Sequence, residues 1–351
     1  MLAAVYRGQD DVRVEELPVP EIGDGEILVR VDACGVCPTD LKKIHKGLLP
    51  PPRVFGHEIC GTVARVGRGV ARWREGARVV VHHHIPCGSC FFCARRVYAQ
   101  CEVYKLNGTT AGFEPAGGGF AEYVRAMDWI AARGTIAVPE GVAAEEAAFV
   151  EPVNTCLKAV RAAGLERGET VLVVGQGPIG LLLMQLARWA GAHALVSDPL
   201  PDRLALSREL GAAATFDARG DVIAEARALT EGRGVDCALL AAPGPVAFQQ
   251  ALDALRPGGR LMVFSATSPG ETAEVDLGRL SLAEKQILTS YSASVDVQDT
   301  AAQLVFGREV RVRELVTHRY PLRQAPVALE RAARPEPGVL KVMVDCGAGA
   351  A

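Results

Sequence analysis

A chain of 351 residues is longer than a single hydrophobic core usually serves, so two domains are expected. With 49% hydrophobic and 23% charged residues, it has the make-up of a globular protein and not of a disordered one. Its formal net charge of -3, from 38 basic and 41 acidic residues, gives no electrostatic footing for a nucleic-acid or membrane-surface partner.

The first eight residues, Met1 to Gly8, show no basic segment followed by a long apolar core, so no secretory signal is expected. Residues 26–32 alternate, 61–66 and 78–82 are β-rich, and 120–124 follow a glycine run. Short strands divided by turns suit a compact, partly open β-barrel over roughly the first 150 residues. Within it, Arg65, Arg68, Arg72, Arg74 and Arg78 are interrupted by Gly67, Gly69, Glu75 and Gly76, the pattern of a solvated loop and strand edge.

From residue 157 short apolar runs alternate with helical patterns. Candidate strands at 170–174, 193–197, 214–216, 235–241, 260–264 and 287–291, with helices between them, predict a doubly wound parallel six-stranded sheet, an α/β fold. The longest uncharged run, 170–187, reaches the lower limit of a membrane span, about 18 residues. Gly175, Gly177, Pro178 and Gly180 divide it into strand, turn and helix instead, so a soluble, cytoplasmic protein is expected. A helix at 297–306, a stretch at 315–321, a helix at 324–333 and a strand at 339–345 follow the finished sheet. They are assigned back to the first domain, which then comprises 1–154 and 296–351 around a dinucleotide-binding domain of 155–295.

Ten cysteines are many for a reducing cytosol, and Cys87, Cys90, Cys93 and Cys101 fall within fifteen consecutive residues. The spacing Cys-x2-Cys-x2-Cys-x7-Cys, in a lobe of about 85–103, converges on one tetrahedral ion more readily than on two unstrained disulfides. An iron-sulfur run would place its fourth cysteine closer and follow it with proline, whereas Glu102 follows here. Four thiolates fill the coordination sphere of zinc, so this site is structural. Cys37, His57 and Glu151 supply one thiolate, one imidazole and one carboxylate from separate segments, which suits a catalytic zinc with one exchangeable position.

Strand 171–174 runs into Gly175-Gln-Gly177-Pro178-Ile179-Gly180. The first glycine permits a tight turn, the second lets amides approach a pyrophosphate, and the third allows close helix packing. Asp198 closes the next strand, where a carboxylate accepts hydrogen bonds from both adenosine ribose hydroxyls and repels a 2'-phosphate, which predicts NAD over NADP. Arg203 is expected beside the adenine, and Asp198 could also cap the helix starting near Pro201.

Gly56-His57-Glu58 followed by Gly61, Gly67 and Val70, Cys37-Pro-Thr39-Asp40, the four-cysteine lobe, Gly118-Gly-Phe-Ala-Glu-Tyr123, Glu151-Pro152, the glycine cradle and Lys341-Val-Met-Val344 together resemble the zinc-dependent medium-chain dehydrogenases of the alcohol dehydrogenase superfamily. The Glu-Pro pair looks more like the polyol (sorbitol) and threonine dehydrogenase branch than like enzymes using a second cysteine. The resemblance implies a GroES-like catalytic domain plus a Rossmann domain, with the active site in the cleft between them. It also implies two zinc ions per chain and NAD, and oxidation of a secondary alcohol, polyol or hydroxy-amino compound to a ketone by hydride transfer.

In that scheme Thr39 receives the substrate's hydroxyl proton, Glu58 acts beside the metal or as a transient ligand, and His84 resembles a histidine near the substrate of threonine dehydrogenases. Lys42 stands where many members carry the histidine that passes the proton to solvent; Lys42 or His45 would take that part. Phe264, Ser265 and Ala266, and Ser290 and Tyr291, correspond to backbone around the nicotinamide, although Ser265 replaces a usual glycine. Loops 48–53 and 107–119 would shape the substrate pocket, and relatives of this branch imply a homo-tetramer. A zinc-stabilised nucleotide-binding or redox-sensing protein without turnover is the competing reading, opposed by Cys37, Thr39, His57 and Glu151 occurring together. A carbonyl reductase running in reverse is the third, opposed by the NAD preference that Asp198 implies.

Overall fold

The structure is a computed structural model, and it describes residues 1–82, 84–103, 117–265 and 270–347. The chain forms two units: 1–154 with 293–308 and 312–351, and 155–292 with 309–311.

The first unit is built around the strand Ile27–Gly35, whose apolar side chains are buried on both faces except at Arg30 and Asp32. It pairs antiparallel with Glu58–Val66, Tyr123–Ala126 and Lys341–Asp345. The sheet order runs Val316–Pro321, Lys341–Asp345, Ile27–Gly35, Glu58–Val66, Arg78–Val81, Thr135–Ala137. The C-terminal residues thus join the N-terminal sheet. Two register shifts bend Ile27–Gly35 against Glu58–Val66, and a Cβ on Gly61 would lie 2.2 Å from the Arg30 carbonyl oxygen, so the bent pair closes only over glycine. The register Gly35↔Glu58 and Met343↔Gly35 brings the ends of three strands together.

A small second sheet, Asp11–Glu16, Leu2–Gly8 and Arg53–Val54, packs on this core. The expected strand at 120–124 lies instead at Tyr123–Ala126. The reason is that the Phe120 amide donates to the Phe55 carbonyl at 2.9 Å while its carbonyl accepts from the Ala4 amide at 2.8 Å, so it is occupied outside the ladder.

The second unit is an all-parallel six-stranded sheet in the order Ala214–Asp217, His193–Asp198, Thr170–Val174, Val235–Leu240, Leu255–Val263, Gln286–Thr289. The helices Pro178–Trp189, Pro201–Glu209, Val222–Ala228, Pro245–Ala254 and Leu277–Leu282 alternate with the strands along the chain. This is the doubly wound α/β fold. The fifth strand begins at Leu255, ahead of the expected 260, because a register shift between Val235 and Cys237 of its neighbour absorbs Arg256-Pro-Gly-Gly259. Among the described residues, no helix is long and apolar enough to cross a membrane.

Candidate active site

Strand Ile27–Gly35 leads through Val36 to Cys37, which caps the helix Pro38–His45. Pro38 at its first position has the backbone angle a helix requires and lacks only an amide proton that would go unused there. The Cys37 carbonyl accepts from the Asp40 amide at 3.0 Å and the Leu41 amide at 3.3 Å. Asp40 is fully buried, with its Oδ1 3.1 Å from Nδ1 of His57. A carboxylate there keeps the proton on Nδ1 and leaves Nε2 as the lone-pair donor.

The Cys37 sulfur, a His57 ring nitrogen and a Glu58 carboxylate oxygen all lie within 4.8 Å of one another. Sulfur, nitrogen and oxygen at that separation form a donor set for zinc with a position to spare. The Oδ2 of Asp40 is buried without a hydrogen-bond partner among the described residues, a negative charge that a cationic centre at His57 would balance. Burial works against a charged His57, yet Asp40 and Cys37 raise its pKa well above the ordinary histidine value. The residues present therefore fit zinc.

Glu58 also meets a cation of the chain's own. Lys341, first residue of the last strand, forms an ion pair with Glu58 in which both side chains are nearly inaccessible, and it donates to the Val36 carbonyl at 3.0 Å. A Cβ on Gly35 would fall 2.0 Å from Glu58 Oε2 and 2.8 Å from the Lys341 side chain. Only glycine leaves room for the pair.

Glu151 is buried in the first turn of the helix Val150–Ala163, outside the set of Cys37, His57 and Glu58. Burial raises its carboxyl pKa to about 7, opposed by His57 and Lys341 and reinforced by Glu58. Its charge is thus felt by the same groups.

Thr39 lies in the first turn after Cys37, half-buried, and Lys42 is half-buried in the last turn of that helix. His45 is exposed and paired through Nδ1 with Asp10. His84 is buried; buried His82 is pushed down to about 4 by desolvation, and His83 lies outside the described residues. Residues 107–116 also lie outside them.

The thiols of Cys87, Cys90, Cys93 and Cys101 all lie within 4.8 Å of one another. The Cys87 amide donates to the Cys101 sulfur at 3.3 Å, and the Ser89 amide to the Cys87 sulfur at 3.5 Å. Ser89 brings the Cys87 thiol down to about 6, whereas desolvation pushes Cys93 up to about 12. Amide donors aimed at sulfur favour thiolates, and zinc would hold all four deprotonated. Cys90→Ser is expected to remove one zinc equivalent by elemental analysis and to cost roughly 3 kcal/mol in denaturant unfolding.

In the second unit, Gly175 turns the chain with φ 90° and its amide donates to the Ser197 carbonyl at 2.8 Å. A Cβ on Gly180 would lie 1.8 Å from the Gly175 carbonyl oxygen. At Gly177 the nearest atom to an added Cβ is Arg203 Nη1, at 3.9 Å. Pro178 is the first residue of the helix Pro178–Trp189, followed by Ile179 and Gly180, so first-turn amides point outward with the positive end of the helix dipole. The Asp198 carboxylate accepts from the Gln176 amide at 2.6 Å and the Leu200 amide at 2.9 Å, and Arg203 Nη1 lies 3.6 Å from it. It serves the turn before the helix Pro201–Glu209, whose cap residue is Leu200. A turn that admits only hydrogen beside outward amides fits a dinucleotide.

The Phe264 and Ser265 amides both reach the Leu240 carbonyl, at 3.2 and 2.9 Å, beyond the end of the fifth strand. Ser290 and exposed Tyr291 follow the sixth, with the Tyr291 carbonyl accepting from Lys158 at 2.7 Å. All four therefore stand at the carboxyl ends of strands, where ligands bind open α/β sheets. Ala266 lies outside the described residues. Asp40 and Gln176 had no role in the sequence reading; the hint for Asp40 was an acid one helical turn after Cys37.

Residues 23–139 match the family "Alcohol dehydrogenase GroES-like domain" and residues 178–306 match "Zinc-binding dehydrogenase". The chain is 31% identical to the sorbitol dehydrogenase of Bacillus subtilis over 98% of its own length and 97% of the relative's. It is 31% identical to the L-threonine 3-dehydrogenase of Pyrococcus horikoshii over 87% of each. A structure from Sinorhizobium meliloti 1021, described as a zinc-binding dehydrogenase bound to NADP, superposes with a TM-score of 0.88 at 32% identity, covering 98% of each chain. By donor set, cradle and kinship over nearly its whole length, the chain belongs to the zinc-dependent medium-chain dehydrogenase/reductase superfamily, the alcohol and polyol dehydrogenase family.

Proposed function

We propose that this chain is an NAD-dependent dehydrogenase that oxidises the secondary alcohol of a polyol or hydroxy-amino compound to a ketone. The observation that carries the reading is the meeting of Cys37, His57 and Glu58 with His57 held by buried Asp40. Similarity to the sorbitol and threonine dehydrogenases supports the substrate class. When bound, zinc supplies a Lewis acid at the substrate oxygen and NAD the hydride acceptor.

In this reading Cys37 and His57 hold the metal, with Glu58, whose oxygen already meets them, as the carboxylate donor and Glu151 as the carboxylate expected to exchange with it. Asp40 fixes the His57 tautomer, Thr39 takes the hydroxyl proton through its own hydroxyl, and Lys42 passes it on. His84 borders the substrate. The four thiols of Cys87, Cys90, Cys93 and Cys101 hold a second, structural zinc. Gly175, Gly177, Ile179 and Gly180 receive the pyrophosphate, Asp198 and Arg203 the adenosine, and the residues after the fifth and sixth strands the nicotinamide. Buried Asp198 favours NAD; the NADP-bound relative motivates testing both cofactors side by side.

A homo-tetramer in the cytoplasm completes the proposal. The sixth strand lies at the sheet edge with Ile287 38% exposed, and the helix Leu277–Leu282 before it exposes Leu277 73% and Leu282 90%, apolar side chains suited to a second copy. The test is zinc per chain by elemental analysis, light scattering for subunit number, and reduced-cofactor formation from polyols, threonine and simple secondary alcohols. Two zinc ions, NADH formation and at least about a thousandfold loss in Cys37→Ala are expected. One zinc, or turnover indifferent to Cys37, would refute the reading.

A further inference from the structure

Within the glycine turn one side chain does not fit the turn's generic needs. Gln176, between Gly175 and Gly177, is entirely buried. Its Nε2 donates to the carbonyls of Val173 at 3.1 Å and Gly175 at 2.9 Å. Both amide protons are thereby used and the group's orientation is fixed, which leaves Oε1 as an acceptor. The Ser207 hydroxyl lies 3.1 Å from that oxygen and 2.8 Å from the Arg203 carbonyl. Ser207 stands on the helix Pro201–Glu209, one turn beyond Arg203.

The main chain of the same residue closes the circuit. The Gln176 amide donates to Asp198 Oδ2 at 2.6 Å, and Arg203 Nη1 lies 3.6 Å from that oxygen. Gln176 therefore ties together the carbonyls of the phosphate turn, the carboxylate at the end of the second strand and the helix bearing Arg203. An apolar residue in its place would leave two carbonyls to find other donors in a dry interior and would cut the Ser207 hydroxyl off from the turn, leaving it only the Arg203 carbonyl of its own helix. The same turn is too tight to rearrange, since Gly180 already meets the Gly175 carbonyl.

We propose that Gln176 is a positioning residue for the adenosine end of the nucleotide site: its carboxamide braces the glycine turn and, through Ser207, the Arg203 helix, so that Asp198 and Arg203 meet the ribose and adenine as one rigid unit. The proposal rests on reading the glycine turn as a nicotinamide-nucleotide cradle. Gln176 touches no reacting atom, and its effect belongs in affinity for the adenosine half and not in the nicotinamide half.

The test uses the full chain as Gln176→Leu, close in volume, and Ser207→Ala, which removes one bond of the circuit. Dissociation constants are measured for NADH, ADP-ribose and reduced nicotinamide mononucleotide by fluorescence and calorimetry, beside the unfolding midpoint. Gln176→Leu is expected to weaken NADH and ADP-ribose equally, by about tenfold, and the mononucleotide less than about twofold; Ser207→Ala moves in the same direction by about threefold. Equal weakening of all three ligands, or unchanged ADP-ribose affinity, overturns the proposal. Should Gln176→Leu not fold, Ser207→Ala decides by the same criterion. A wild-type chain that binds neither NADH nor ADP-ribose refutes the cradle itself, which the mononucleotide and variant comparisons cannot mimic.

Discussion

Gly180→Ala is expected to weaken NADH binding by roughly a hundredfold and to lower the unfolding midpoint, whereas Gly177→Ala weakens binding with the midpoint unchanged. At Gly180 the new methyl would sit 1.8 Å from the Gly175 carbonyl oxygen, so helix Pro178–Trp189 must move off the strand end. Overpacking of that kind costs about 1–3 kcal/mol, and the displaced amides account for the lost affinity. Gly177 has φ -67° and ψ -178°, angles open to alanine, and among the described residues beyond its chain neighbours no atom lies closer than 3.9 Å to an added Cβ. Its loss therefore falls on the ligand alone. Calorimetric NADH titration with thermal unfolding of both variants checks the contrast; a Gly180→Ala chain as stable and as tight-binding as wild type would contradict it.

Lys341→Met is expected to destabilise the chain by about 3–5 kcal/mol, among the largest single-residue effects in the first unit. Methionine fills much the same space but leaves the Glu58 carboxylate buried without its cation, and the Val36 carbonyl without its donor. Because the loss is that of an orphaned charge and not of packing, Glu58→Gln in the same chain should restore part of it. A double-mutant cycle in urea should give a coupling of about 2 kcal/mol, well above that of an exposed pair. Additive losses would mean that the pair contributes nothing jointly. Zinc content, followed in parallel, reports whether Glu58, once unpaired, changes the metal affinity proposed for Cys37 and His57.

What the sequence discloses depends on how local the physical requirement is. Gly175, Gly177 and Gly180 answer to a turn complete within six residues, and the four cysteines of the lobe lie within one short segment, so both patterns stand out. The six parallel strands follow from short apolar runs, and the start of the helix Pro201–Glu209 from its proline. Leu2–Gly8 went unread because its residues are buried in succession, and two small alanines blur any alternation. The start of Leu255–Val263 was hidden by Pro257, Gly258 and Gly259, which normally end strands but here occupy a bulge. The role of Asp40 depends on a histidine 17 residues away, and that of Lys341 on a glutamate from another strand. No periodicity encodes such pairings; the register Gly35↔Glu58 creates them.

That register also sets an order of events during synthesis. The bond from Lys341 to Val36 spans 305 positions, so the cation facing Glu58 emerges from the ribosome long after Cys37 and His57. Until the last strand docks, the centre of the N-terminal sheet has one edge open and an acid without its partner. Metal captured by a nascent chain meets an electrostatic setting different from the finished one. Assembly of the Cys37, His57 and Glu58 cluster is thus coupled to arrival of the strand Lys341–Asp345, while the cysteine lobe, contained within fifteen residues, can close as soon as it is made.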